Sequence, residues 1–443
     1  MSEGVDRLLV VEEAQALVLD GLVPLDGTET LAPEDALGRV LAAPAAAATS
    51  LPPRDNSAMD GYAIQAEDTR GAAETAPARL NVAGEVAAGG PLNAVVKAGT
   101  AVRIATGAPV PPGADAVIQV EETTPLDAEG IAGPRGREAT GPLPSHVLVH
   151  VEIAPGHSIR RAASDVVAGA MLAAAGDVVT PAVVALVAGA GAATVSVRRR
   201  PVVAVLATGD EVRPPGAELG PSGIHDANGP GLRSLVRDAG AVPLDLGIAA
   251  DRLDDVEARL ARGLAEADAI VVSGGVSVGP YDVVRSAFDA VGSVGLWRVA
   301  VQPGKPFAFG TAVVPGRDRP VLLFGLPGNP VSSFVTFELF VRPALRRLAG
   351  HARLHRPADR AVLEQPVTKS AGRRGYQRVV ALRDETGSPV RDALGRVRVR
   401  LAGGQGSHVI SALAAADALA VVPEPPERVE AGTEVELRWL DRG

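Results

Sequence analysis

Apolar runs alternate with turns rich in glycine and proline, and the alternation changes character along the chain. Residues 7–21, RLLVVEEAQALVLDG, space their apolar positions for one face of a helix and predict an amphipathic helix closed by Gly21. A second helix is predicted over 32–42, with Pro33 near its start. Residues 51–62, LPPRDNSAMDGY, read as a loop that ends at Asp60-Gly61. From 63 to 160 short β-rich runs (80–86, 101–104, 116–121, 146–153) alternate with turns such as AAGGPL and TGAPVPPGAD. That spacing predicts a small β-barrel or β-sandwich inserted into the chain.

From 180 the pattern is α/β. A helix over 181–190 and a strand over 194–198 precede PVVAVLATGDEV at 201–212. Helices at 229–239 and 252–266 lead to DAIVVSGGVSVGPYD at 268–282, in which 269–272 is a fully apolar run. Such a run predicts a strand buried on both faces of a parallel sheet. A strand, a Lys305 turn and another strand follow over 297–310; 320–350 adds a buried strand, the turn LPGNP and a helix beginning near Pro330. Beyond 351 short strands return, with two helical candidates, the tail of the preceding helix and 408–417. Strand–turn–helix units at this spacing predict a parallel sheet with helices on both faces, and a site beyond the C-terminal ends of its strands.

Composition narrows the function. A chain of 443 residues predicts two to four domains. The net charge of −9 argues against nucleic-acid binding. The absence of Cys excludes disulfides, thiolate nucleophiles and zinc ribbons. The segment 181–197 is short for a membrane span and rich in Ala and Gly, and the N-terminus lacks the order of a signal peptide, so a soluble cytoplasmic protein without membrane contact is expected. Only three residues are Lys (Lys97, Lys305 and Lys369), which singles out Lys305 in its PGKP turn.

TGDE, HDAN, SGG…D, PGKP and LPGNP all fall at predicted strand ends. In SGG the backbone N–H groups of Ser273, Gly274 and Gly275 suit an anion, although a plain βα connection capped by Asp282 reads equally well. Asp60 has a similar alternative as a turn residue, and Arg160, Arg161 and Asp165 read as a solvated charged turn. Carboxylates at Glu211, Asp226 and Asp282, with Asp60 brought from another domain, cannot all stay ionised together without a cation. Carboxylates beside an anion site imply a divalent metal, and hard oxygen donors favour Mg2+. The residues alone therefore read as a Mg2+-dependent enzyme of phosphorylated small molecules.

The chain also resembles the molybdopterin molybdenumtransferase family, the family of MoeA and the gephyrin E domain. The resemblance rests on NSAMDGYA (56–63), TGAPVPPGADAVI (106–118), IRRAASD (159–165), RPVVAVLATGDEV (200–212), HDANGPGL (225–232), SGGVSVGPYD (273–282), QPGKPFAFG (302–310), LPGNPVSS (326–333) and GQGSHVISALAAADALAVVPE (404–424). It implies insertion of molybdate into adenylyl-molybdopterin with release of AMP. It further implies a homodimer, and a molybdopterin adenylyltransferase as a possible partner. The implied fold is a multidomain α/β protein. A three-layer molybdopterin-binding-like domain with a parallel-rich sheet is built from 1–28 and 198–350, and an elongated, partly helical linker from 29–50 and 166–197. An inserted β domain occupies 51–165 and a C-terminal β-barrel-like domain 351–443.

Catalytic roles are implied for Asp60, Glu211, Asp226, Asp282 and Lys305, with Glu211, Asp226 and Asp282 on the metal. Substrate contacts are expected at Asp165, Thr208, Gly209, Ser273, Gly274, Gly275, Pro303, Gly304, Pro306, Pro327, Asn329 and Pro330. Ser332, Arg373, Ser407, Lys305 and the N–H groups after Pro330 are the expected molybdate ligands. Gln302 stands where the family often has Lys, so one cation is missing. Two other classes share part of the pattern. A related adenylyltransferase would not need the β insertion or the C-terminal domain, and a non-catalytic scaffold would be free to lose the acidic positions.

Overall fold

The computed structural model describes residues 8–136, 141–275 and 283–440. Its largest sheet has seven strands. In spatial order they are Leu8–Leu9, Ser293–Val299, Pro306–Ala312, Val321–Leu326, Ala269–Ser273, Val202–Thr208 and Val242–Ala249. The last four run parallel to one another, while Pro306–Ala312 is antiparallel to both of its neighbours. Every residue of Ala269–Ser273 and Val321–Leu326 is buried, as unbroken apolar runs require in a sheet covered on both faces. Helices Val11–Leu19 and Asn228–Asp238, with the helical segment from Pro330 to Leu348, cover one face. Helices Leu253–Glu266 and Val283–Val291 cover the other. Phe307 of the sheet stacks on Phe340 of the long helical segment with centroids 4.5 Å apart.

That segment is interrupted by a π turn at Phe337–Val341. Pro343 has no N–H to give to the carbonyl of Leu339, four residues earlier. The Gln15 side-chain amide donates to that carbonyl instead, at 2.9 Å. The N-terminal helix thereby gives that carbonyl a donor from outside the helical segment.

Two smaller units branch from this layer structure. Thr28–Leu31 pairs with Val195–Arg198, and Ala45–Ala46 with Met171–Ala173, around an apolar cluster that includes Leu41, Val179 and Val187. Here the structure corrects one expectation: 32–42 is no helix beyond a 3-10 turn at Glu34–Ala36. Gly38 adopts φ +74°, and the N–H groups of Gly38 and Leu41 go to the carbonyls of Val179 and Asp177. Long-range pairing outcompetes local helix propensity there. The N-terminal prediction is also shortened, since Leu8–Leu9 joins the sheet and the helix begins at Val11. Between these two halves the chain builds a six-stranded sheet in the order Ala116–Gln119, Gly61–Ile64, Thr100–Ile104, Ala78–Val86, His146–Val149 and Thr123–Leu126.

The C-terminal part is a closed five-stranded barrel of Arg374–Ala381, Val397–Leu401, Ala358–Leu363, Glu434–Trp439 and Ala418–Val422, the last pairing back on the first. Val301–Gln302, just before the PGKP turn, adds a parallel strand to Arg374–Ala381. Tyr376, Leu419 and Val421 pack into the same core as the long helical segment. The barrel is thus fixed beside the strand ends of the α/β sheet. No helix among the described residues is long and apolar enough to cross a membrane.

Candidate functional site

A cavity of about 710 Å³ opens at the C-terminal ends of the parallel strands. Thr208, Gly209, Ser273, Gly274, Gly275, Pro306, Pro327, Asn329 and Pro330 line it, together with Glu211 and Asp226. These come from five separate turns, and their meeting is a product of the sheet order. A neighbouring hollow of about 600 Å³ shares Gly209, Val212 and Asp226, and Arg233, paired with Asp245 at 2.9 Å, lines it.

Asn228 ties the turns together. Its amide nitrogen donates to Ser273 Oγ at 2.7 Å and to the carbonyl of Gly328 at 2.6 Å. Ser333 Oγ donates to the Pro327 carbonyl and lies 3.3 Å from Ser273 Oγ. HDAN, SGG and LPGNP thus share one hydrogen-bonded knot beneath the cavity. Gly274, at φ +104°, makes the approach possible: a Cβ there would lie 2.6 Å from Thr208 Oγ1 and 2.9 Å from the Thr208 carbonyl. In the PGKP turn Gly304, at φ +114°, is equally constrained, with Thr336 Cγ2 2.6 Å from where a Cβ would stand.

The acidic side of the cavity differs from expectation. Asp226 is buried, and its Oδ1 accepts the Gly229 N–H at 2.8 Å, at the start of helix Asn228–Asp238. Glu211 is exposed at the rim. Asp251, missed in the sequence, lines the cavity beside them. It exchanges backbone hydrogen bonds with Asp210: Asp251 N–H to Asp210 Oδ1 at 3.0 Å, and Asp210 N–H to Asp251 Oδ2 at 3.4 Å. Asp251 is exposed at the rim, yet partial desolvation raises its carboxyl above its ordinary range; the Asp210 N–H bond works against this, and the Asp210 and Glu211 charges add to it. The only signal for Asp251 was its place at the end of a strand, after Val242–Ala249.

A hard cation would relieve this repulsion, and the oxygen donors suit Mg2+. Among the described residues, however, no three acidic or histidine side chains gather closely enough to hold a metal. Asp282, the third expected ligand, lies outside the described residues.

Several expected residues stand apart from the cavity lining. Pro303, Gly304 and Lys305 belong to the PGKP turn and Ser332 is buried in the helix Pro330–Thr336, and none of the four lines it. The Val331 N–H, expected to face an anion, donates to the Ser407 carbonyl at 3.1 Å, so the barrel loop occupies it. His408 and Ile410 of that loop and the helix after it do line the cavity. Gln302 uses its carbonyl oxygen to accept the Ser370 N–H at 2.7 Å, a bond that a lysine could not make. Arg373 is half-buried on the barrel. Asp60 lies in the inserted β unit, where its Oδ1 accepts from Thr106 N–H at 2.7 Å and Thr106 Oγ1 at 2.9 Å. Asp165 is exposed beyond a turn in which Arg161 pairs with Asp55 at 2.7 Å.

A sheet covered by helices on both faces, with glycine turns and carboxylates at one switch of strand order, defines a three-layer α/β protein whose cavity has backbone turns suited to an anion. Three family models match in series: the MoeA N-terminal region (domain I and II) over 9–191, the probable molybdopterin binding domain over 204–347, and the MoeA C-terminal region (domain IV) over 360–439. Molybdopterin molybdenumtransferase 2 of Mycobacterium tuberculosis is 38% identical over 408 residues, covering 91% of this chain and 92% of that protein. The Haemophilus influenzae molybdopterin molybdenumtransferase is 33% identical over 431 residues, covering 97% and 98%. The crystal structure of a molybdopterin biosynthesis moea protein from Pyrococcus horikosii superposes with a TM-score of 0.74 at 30% identity, covering 99% of this chain and 100% of that one. The chain belongs to the molybdopterin molybdenumtransferase family, a family of transferases in molybdenum cofactor biosynthesis.

Proposed function

We propose that this chain inserts molybdate into adenylyl-molybdopterin, releases AMP, and depends on Mg2+ to do so. The observation that carries the reading is the Asn228 knot, which brings the HDAN, SGG and LPGNP turns to one cavity. The glycine turns at Gly209, Gly274 and Gly275 offer close backbone approach to phosphate oxygens. Glu211, Asp226 and Asp282 would hold Mg2+, which when bound polarises a phosphoanhydride. Asp251 would share that charge, and the loop bearing Ser407 and His408, with Lys305, Ser332 and Arg373, would receive the molybdate.

Asp60 does not line the cavity of its own chain. That supports a homodimer in which the inserted β unit of one copy serves the cavity of the other. A molybdopterin adenylyltransferase is the reaction class that must supply the substrate, and a cytoplasmic setting fits that supply. The test is AMP release from adenylyl-molybdopterin under anaerobic conditions, with and without molybdate, with Mg2+ or EDTA. Release that requires both molybdate and Mg2+ supports the reading. Release indifferent to molybdate removes it. For the dimer, mixing Asp60→Ala and Lys305→Ala chains should restore part of the activity that each lacks alone.

A further inference from the structure

A guanidinium is buried against the barrel loop that precedes His408. Arg378 lies on the barrel strand Arg374–Ala381, and its relative exposure is 0%. Its Nη2 donates to the carbonyls of Gly404 at 3.0 Å and Gly406 at 3.1 Å. Its backbone N–H donates to Gln405 Oε1 at 2.9 Å, and Gln405 Nε2 returns a bond to the Arg378 carbonyl at 3.1 Å. Nε has no hydrogen-bond partner, and no carboxylate pairs with Arg378 among the described residues. Burial pushes the guanidinium down to about 10, which leaves it a cation at neutral pH.

Stability alone does not account for an arginine here. A charge withdrawn from water without a counter-charge costs several kcal/mol, and an apolar side chain of similar reach would fill the space more cheaply. What the arginine holds is the barrel loop. On its far side the same loop reaches the α/β sheet, where the Ser407 carbonyl accepts the Val331 N–H at 3.1 Å and His408 lines the cavity. The loop is stretched between these two anchors. A site for an oxyanion needs donors and is spoiled by carbonyl oxygens, and Arg378 engages two of the loop's carbonyls from the barrel side.

We propose that Arg378 is a positioning residue for the oxyanion substrate, locking loop 404–408 so that Ser407 stays bonded to Val331 and His408 stands at the cavity. The proposal rests on the molybdenum-insertion reading and deepens it. Its test uses the full chain with Arg378→Met and Arg378→Lys. Molybdate binding is measured by calorimetry, and KM for molybdate and kcat by AMP release. Arg378→Met should weaken molybdate binding and raise its KM by about tenfold. Affinity for the nucleotide and kcat should stay within about threefold. Arg378→Lys should recover part of the loss, because an ammonium can still serve one carbonyl.

A Met variant with unchanged molybdate affinity overturns the proposal, and so does one that loses nucleotide and molybdate binding equally. Should Arg378→Met fail to fold, Gln405→Ala loosens the same loop and must shift molybdate KM in the same direction; an unchanged KM would overturn the proposal. A wild-type chain that binds molybdate without molybdate-dependent AMP release would remove the function reading, while the variants' calorimetry still decides Arg378. No molybdate binding by the wild type overturns both.

Discussion

At neutral pH the Asp251 carboxylate faces desolvation and the charges of Asp210 and Glu211, and its proton affinity is raised in the fold. A carboxyl raised in this way favours the folded state only while protonated, so its contribution falls as pH rises from the ordinary value of 3.8 through the higher folded one. Asp251→Asn should therefore raise Tm at pH 7 without Mg2+, and that gain should vanish below pH 3.8. A thermal-shift series in pH reads it; an unchanged Tm at pH 7 would mean the repulsion is not felt. His351 behaves in the opposite sense. It is buried, burial with the nearby Arg346 charge lowers it to about 4, and its Nδ1 has no partner. The unfolded chain takes up this proton below 6.5 and the folded chain only near 4, so stability is lost as pH falls across that window. The loss is on the order of 3 kcal/mol at most. His351→Leu should flatten the fall in unfolding free energy between pH 6.5 and 4 in urea titrations.

Among the elements, the helical segment from Pro330 to Leu348 depends on a partner outside itself. Gln15 supplies the donor that Pro343 lacks. Gln15→Leu should leave the Leu339 carbonyl unsatisfied and lower unfolding stability by about 1–2 kcal/mol. A urea midpoint equal to wild type would mean water reaches that carbonyl. The π turn itself left no trace in the sequence, since 320–350 reads as one ordinary helix after the LPGNP turn. The buried strands were legible because apolar runs such as 269–272 are too short for a helix and end in glycine. The segment 32–42 was misread for the converse reason. Its composition favours a helix, but its N–H groups find acceptors at Asp177 and Val179, far along the chain.

For the whole molecule, Arg374 joins the barrel to the α/β layers. It bonds Glu12 of the N-terminal helix and sits 2.9 Å from Glu424 of the barrel. Burial works against its charge, but these carboxylates outweigh that and hold its proton more tightly than usual. Glu12 is mostly exposed, so the pair is screened by solvent. Arg374→Ala should cost about 1–2 kcal/mol and lower Tm by a few degrees. Calorimetry should also resolve the barrel as an earlier transition. A single unshifted transition would show that the shared core around Tyr376 suffices to couple the two.

The sequence by itself determined the element types of the α/β part, the family, and the turns that carry chemistry. Those are local properties, fixed by apolar runs, glycines that must adopt positive φ, and motifs a few residues long. Only the tertiary structure decided which turns meet. Sheet order brings HDAN, SGG and LPGNP around Asn228, adds Asp251 from a strand end with no motif, and leaves Asp60 in a separate unit. Arg378 is the sharpest instance. In the sequence it is one arginine among many, and its meaning arises only when barrel closure removes it from water and sets it against a loop 26 to 28 residues away. Burial and hydrogen bonding between distant segments are properties of the packed chain, and no local pattern encodes them.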